Sequence, residues 1–129
     1  MEVSLATQLR SSSTEQSRVL SEAIARIADL WSLTNERLGR VLGLSSATIS
    51  RLRSGSFELE ADSKAFEAGQ YLVRLFRSLD AMMGSDDEAS RAWLRSPNLD
   101  LETTPIELLV TFTGLARVCD YVDAHRARV

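Results

Sequence analysis

The chain has 129 residues, 44% of them hydrophobic and 26% charged, which is enough to bury one sizeable interior. No stretch approaches the roughly 18–20 consecutive apolar residues of a spanning helix, and the opening MEVSLATQLRSSST reads as no secretory signal. A single cysteine, Cys119, has no internal disulfide partner, so a soluble protein of the reducing cytoplasm is expected. The net charge of −3 is unevenly spread: residues 1–57 hold seven arginines against five acids, and residues 58–129 hold eight basic side chains against thirteen acids. Phosphate binding depends on the field of the docking face, so a nucleic-acid partner for the front half stays open.

Strand signals are almost absent and helical spacing recurs throughout, so the expected fold class is all-α. Residues 1–13 are polar and serine-rich and read as a flexible tail. Leu20, Ala23, Ile24, Ile27 and Trp31 share one face of a first helix that begins near Thr14. A short helix follows over 35–42 with Thr34 as N-cap, and another over 46–54 with Ser45 as N-cap and Gly55 as the terminating left-handed residue. From about Glu60 to Met83, Ala65, Ala68, Leu72, Leu75, Leu79 and Met82 recur at steps of three and four. The sequence GSDDE then breaks the pattern, and Ser85 or Asp86 caps a short helix through EASRAWLRS. Leu99 and Leu101 are expected to alternate into the core. TPIE at 104–107 reads as a helix start with Thr104 as cap, Pro105 at the first position and Glu107 closing a capping box. The last helix, continuous to about His125, is apolar on two sides: Leu108, Phe112, Leu115, Cys119 and Val122 on one, Ile106, Leu109, Val110 and Ala116 on the other. These elements divide as a tail over 1–13, a helical pair with its supporting helix over 14–57, a connecting and dimerising helix over 58–84, and a C-terminal unit over 85–129.

TNERLGRVLGLSSATISRLRSG, residues 34–55, fits a helix-turn-helix. The first helix needs a small residue where the second crosses it, and Gly39 stands there. The turn needs positive φ, and Gly43 follows. Leu38, Leu42, Leu44, Ile49 and Leu52 occupy the core positions. The other faces of the second helix carry Ser46, Ala47, Ser50 and Arg51, small or polar side chains suited to a major groove. Arg51 could fork to a guanine, and the serines could reach base edges or phosphates. Thr34, Asn35, Arg37 and Arg53 sit near the helix ends, where backbone contacts arise. The alternative is a compact helical hairpin with its arginines on a solvated face. In either case the pattern resembles the Xre group of bacterial regulators, which includes phage repressors. The resemblance implies that Ser46, Ala47 and Arg51 take base-contacting positions. Serine and alanine are weak readers, so dimerisation must add specificity, with two recognition helices about 34 Å apart on a palindromic operator.

Residues 91–121, RAWLRSPNLDLETTPIELLVTFTGLARVCDY, contain Trp93-Leu94, Pro97-Asn98, Leu101, Thr104-Pro105, Leu108-Leu109 and Gly114. By itself Trp93 reads as a core anchor. The arrangement is similar to the toxin-binding domain of the Xre/MbcA/ParS family of antitoxins, and the order of parts matches as well. The resemblance implies an antitoxin that neutralises a RES-domain toxin, an enzyme resembling ADP-ribosyltransferases that consumes or uses NAD⁺, by direct contact. It also implies repression of its own operon, as a homodimer or within a higher toxin–antitoxin complex on double-stranded operator DNA. Candidate toxin-binding residues are Trp93, Asn98, His125, Arg126 and Arg128, with the terminal arginines placed to enter or close an NAD⁺ pocket. A solvated tail with charges suited to a helix C-terminus is the plainer reading of that end.

No cofactor is expected. One cysteine and one histidine, His125, do not make a zinc site, GSDDE lacks the ligand spacing of a calcium loop, and no nucleophile-and-base constellation is present, so the chain is not expected to be an enzyme. Two other functions remain: a stand-alone phage-like repressor with no enzyme partner, and an antitoxin scaffold that does not bind DNA.

Overall fold

A computed structural model describes residues 4–127. Seven helices follow in order: α1 (Leu5–Leu30), α2 (Asn35–Leu42), α3 (Ser46–Ser54), α4 (Lys64–Met82), α5 (Asp87–Arg95), α6 (Pro105–Leu108) and α7 (Phe112–Arg126). The described residues contain no strand, only one isolated antiparallel bridge between Asn98 and Thr103. The fold is all-α. No helix among them is long and apolar enough to cross a membrane.

The first helix begins well before Thr14, so residues 5–13 are helical rather than a frayed tail. Ser4 caps it, its hydroxyl accepting from the Thr7 N–H at 3.2 Å. Once the core-facing part is nucleated, each added residue gains a backbone bond for little cost, and the helix propagates outward without packing. Leu5 is accordingly 70% exposed. Burial starts with Ser17 and Ser21 and continues through Ile24, Ile27, Ala28 and Trp31. The Trp31 indole lies against Phe76, ring centroids 5.5 Å apart, with its N–H buried and unpartnered.

The α2–α3 pair follows its sequence signals closely. Thr34 caps α2 through the Arg37 N–H at 3.0 Å, and Ser45 caps α3 through the Thr48 N–H at 3.1 Å. Gly43 and Gly55 take φ of 73° and 88°, conformations that a side chain disfavours. A Cβ on Gly39 would run into the Leu44 carbonyl oxygen, so the crossing admits only glycine there.

Helix α4 is the common support. It packs most heavily on α7 and α1 and also touches α2 and α5, with Ala65, Ala68, Leu72, Leu75 and Leu79 all buried. One cluster of buried side chains runs from Ile24 in α1 to Val122 in α7, so both halves share a single interior.

The end of the chain departs from expectation. The helix expected from Thr104 to His125 is two: α6 lasts four residues, and α7 restarts with Thr111 as its N-cap, accepting from the Gly114 N–H at 3.1 Å. The Leu108 carbonyl oxygen lies where Gly114 would carry a Cβ, so the chain turns against itself at that glycine. Thr111 offers the backbone a local alternative to continuing the helix. Thr104 makes no capping bond, and Glu107 reaches Arg37 instead of closing a capping box. The break accounts for the two apolar sides: Ile106 and Leu109 belong to the α6 corner, and Leu115, Val118, Cys119 and Val122 to α7. Phe112, expected in the core stripe, is 42% exposed and lies edge-on to Tyr71 at 5.0 Å. Leu99, expected to turn inward, is 95% exposed.

Candidate functional site

The first surface is α3. Capping by Ser45 and the tight α2–α3 crossing present the start of α3 outward, so Ser46, Ala47, Ser50 and Arg51 are all exposed. Arg51 makes one side-chain bond, its Nη2 donating to Thr48 Oγ1 at 3.2 Å. A face of small side chains with one arginine can approach a groove closely and place a single forked donor in it.

The residues expected to flank it have intramolecular partners. Arg53, two positions beyond Arg51, turns inward. Its Nη1 donates to the Leu33 carbonyl at 2.8 Å and to Asn35 Oδ1 at 3.1 Å, and its Nη2 pairs with Asp29. Arg53 and Asn35 thereby fasten the end of α3 to the corner between α1 and α2. Arg37 donates to the Ile106 carbonyl at 3.4 Å and pairs with Glu107 at 3.3 Å, which ties α2 to α6. Thr34 is exposed, with its hydroxyl engaged in the cap. The structure therefore keeps Ser46, Ala47, Ser50 and Arg51 together on one open face and commits Arg37, Arg53 and Asn35 to holding the fold.

The second surface is built by the loop 97–103 and α7. Asn98 is a turn residue: its side-chain oxygen accepts from the Leu101 N–H at 3.0 Å and its own N–H donates to the Thr103 carbonyl at 3.1 Å. With Glu102 at φ 63°, this turn anchors Leu101 in the core and projects Leu99 outward. Asp100 accepts from the Tyr121 hydroxyl at 2.7 Å. Tyr121 in turn stacks on Trp93 at 6.3 Å and lies 4.1 Å from the His125 ring, whose Nδ1 is 3.0 Å from the Tyr121 carbonyl. Trp93, Tyr121 and His125 form a half-buried ladder beside the Leu99 turn. Trp93 is thus neither a sealed core residue nor an open one. Tyr121 carries no motif signal of its own; its i,i+4 spacing to His125 was the available clue.

Arg126 lies on the last turn of α7, exposed, near the Arg74–Asp123 pair. Arg128 falls outside the described residues. Burial would raise the Asp123 carboxyl, but hydrogen bonds from the Ser78 hydroxyl and the Arg74 guanidinium outweigh it and hold the group below the usual aspartate value. Cys119 is fully buried, its thiol 3.4 Å from the Tyr71 carbonyl, and desolvation pushes its pKa to about 11. It is a packing residue with little thiolate to offer at neutral pH.

Two family models match the chain. The antitoxin Xre-like helix-turn-helix domain covers residues 11–74, and the antitoxin Xre/MbcA/ParS C-terminal toxin-binding domain covers residues 78–128. No curated protein matches it at a significant level. Both matches run into α4, the first ending and the second beginning within that one helix.

Proposed function

Because this chain belongs to the Xre/MbcA/ParS antitoxin family, pairing a helix-turn-helix with a toxin-binding domain, we propose that it neutralises a RES-domain toxin by direct contact and represses its own operon by binding operator DNA. The partner is an ADP-ribosyltransferase-like enzyme that uses or consumes NAD⁺, and the site of action is the cytoplasm. A homodimer brings two α3 helices to successive major-groove faces, compensating for the weak base-reading capacity of Ser46 and Ala47. The single observation that carries the DNA half is the α3 face, where Ser46, Ala47, Ser50 and Arg51 stay exposed together.

The toxin half is supported by the Leu99 turn and the Trp93–Tyr121–His125 ladder, which lie inside the span matched to the toxin-binding domain. A rigid turn carrying one fully exposed leucine beside half-buried aromatics has the make-up of an interface centre, because the apolar area is presented without an ordering cost. Arg126, beside the Arg74–Asp123 pair at the end of α7, and Arg128 are the candidates to reach the toxin's pocket. Co-expression with the toxin from the neighbouring gene tests it. Leu99→Asp should abolish rescue of growth and co-purification while the antitoxin's melting temperature stays put, and full rescue by that variant would remove the surface from the reading. Truncation after residue 125 should weaken rescue with the fold intact.

One observation favours a second reading, an antitoxin scaffold that does not touch DNA: Arg37 and Arg53 are spent on internal contacts. Electrophoretic shifts of the gene's own upstream duplex at two salt concentrations separate the two, since phosphate contacts make affinity fall steeply with salt.

A further inference from the structure

Helix α5 is two-sided. Trp93 faces the aromatic ladder of the toxin-binding half, while Arg91 and Arg95, one turn apart, face the other way onto the helix-turn-helix. The Arg91 Nη1 donates to the Leu30 carbonyl at 2.8 Å, and the Arg95 Nη2 donates to the carbonyls of Trp31 at 2.7 Å and Ser32 at 3.1 Å. These carbonyls end α1, which has no basic residue in its own last turn, so the pair complements the negative pole of that helix.

Capping alone does not account for the arrangement. Neither arginine pairs with a carboxylate among the described residues. Burial, followed by repulsion from Arg37 and Arg91, lowers the pKa of Arg95. Three guanidinium groups therefore gather around the corner that leads into α2, with Glu107 on Arg37 the one acid paired to any of them. A helix end of half a unit charge does not call for such a concentration of positive charge. A polyanion does. In helix-turn-helix docking the first helix of the pair crosses the DNA backbone, and helix N-termini and arginines supply the phosphate contacts. The corner framed by Arg91 and Arg95 is the entry to that first helix, at Thr34 and Asn35. Arg95 is exposed, and its Nη1 makes only a long bond of 3.4 Å to the Arg91 carbonyl that a phosphate oxygen can replace. Arg91 is half-buried and bonds through one of its two terminal nitrogens.

We propose that Arg91 and Arg95, carried by the toxin-binding half, are phosphate contacts for the DNA duplex that α3 reads. The proposal rests on the DNA-binding reading above and extends it: the DNA footprint spans both matched domains, and α5 serves both partners from opposite sides.

The test uses the full chain with two duplexes, its own upstream region and an unrelated sequence, titrated across a salt series. The Arg91→Gln/Arg95→Gln double variant should lose affinity for both duplexes by the same factor, and its slope of log K against log salt should fall by about two, one per phosphate contact. A folded double variant with the wild-type slope overturns the proposal, and so does a loss confined to the cognate sequence. A second measurement does not depend on that variant folding. Arg95→Cys, labelled with a photocrosslinker, should crosslink to the duplex; the buried Cys119 stays unlabelled because its thiol is inaccessible. Crosslinking from Ser50→Cys but not from position 95 overturns the α5 contact while leaving DNA binding by α3 standing. If the wild-type chain binds neither duplex, the DNA-binding reading fails and this inference fails with it.

Discussion

Two neighbouring arginines on one helix show that nearness in sequence does not settle whether a side chain stays available. Arg51 and Arg53 are two residues apart on α3, yet one stands in solvent with a single bond to Thr48 while the other is clamped by Leu33, Asn35 and Asp29. The helix-turn-helix is set by backbone rules of short range: caps at Thr34 and Ser45, positive φ at Gly43 and Gly55, and a crossing at Gly39. The C-terminal half is set by contacts between distant segments: Tyr121 to Asp100, Trp93 to Tyr121, and Arg74 and Ser78 to Asp123. A surface of the first kind can be read from spacing. A surface of the second kind exists only after folding.

The comparison is sharpest where each half depends on one glycine. Gly39→Ala drives a Cβ into the Leu44 carbonyl and Gly114→Ala drives one into the Leu108 carbonyl; both obstacles are backbone, so neither relaxes easily. Each should cost about 2–3 kcal/mol in urea unfolding. Because the two halves share one core, both variants should melt the whole chain in a single transition; two separate transitions would mean the halves fold independently.

Next in size is the Arg51 and Arg53 pair. Arg51→Ala should weaken operator binding by about 1–3 kcal/mol with no change in melting temperature if it reads a base. Arg53→Ala should do the reverse, lowering stability by about 1–2 kcal/mol through lost bonds to two buried-side acceptors and Asp29. Equal effects of both variants on stability would erase the distinction between them.

Phe112→Ala is a smaller perturbation. The ring is partly exposed and its main partner is the edge of Tyr71, so a loss of about 1 kcal/mol is expected from thermal melts. Smallest is the pH effect at Asp123. Its carboxyl is held below the ordinary aspartate value, so its contribution is present above the unfolded-state value near 4 and is lost as pH falls through the lowered folded value. Ser78→Ala should flatten the decline in melting temperature below about pH 4, a region set by the reference aspartate value.

Helices α2 and α3, their caps and their terminating glycines were legible in the sequence because each depends on residues within a turn of one another; the start of α1 at Ser4 was not. Leu99 and Phe112 were misplaced for a definable reason. Apolar spacing predicts a buried stripe only if the helix or strand continues, and the Asn98 turn and the Thr111 cap each interrupt it. Glu107 had the right spacing for a capping box, but a distant arginine competed for it. Arg37, Asn35 and Arg53 had the right positions for phosphate contacts, and tertiary partners claimed them instead. Arg91 and Arg95 carried no signal at all, because what matters about them is the α1 terminus that folding brings alongside.

The sequence by itself determined the all-α class, the α2–α3 pair and the match to a toxin-binding domain, since helix periodicity, capping and left-handed glycines are local and need no partner from elsewhere in the chain. The tertiary structure decided which charged and aromatic side chains stay available. Whether an arginine faces solvent or spends its donors on a carbonyl many residues away depends on helix packing, and packing is a property of the assembled core that no window of neighbouring residues contains.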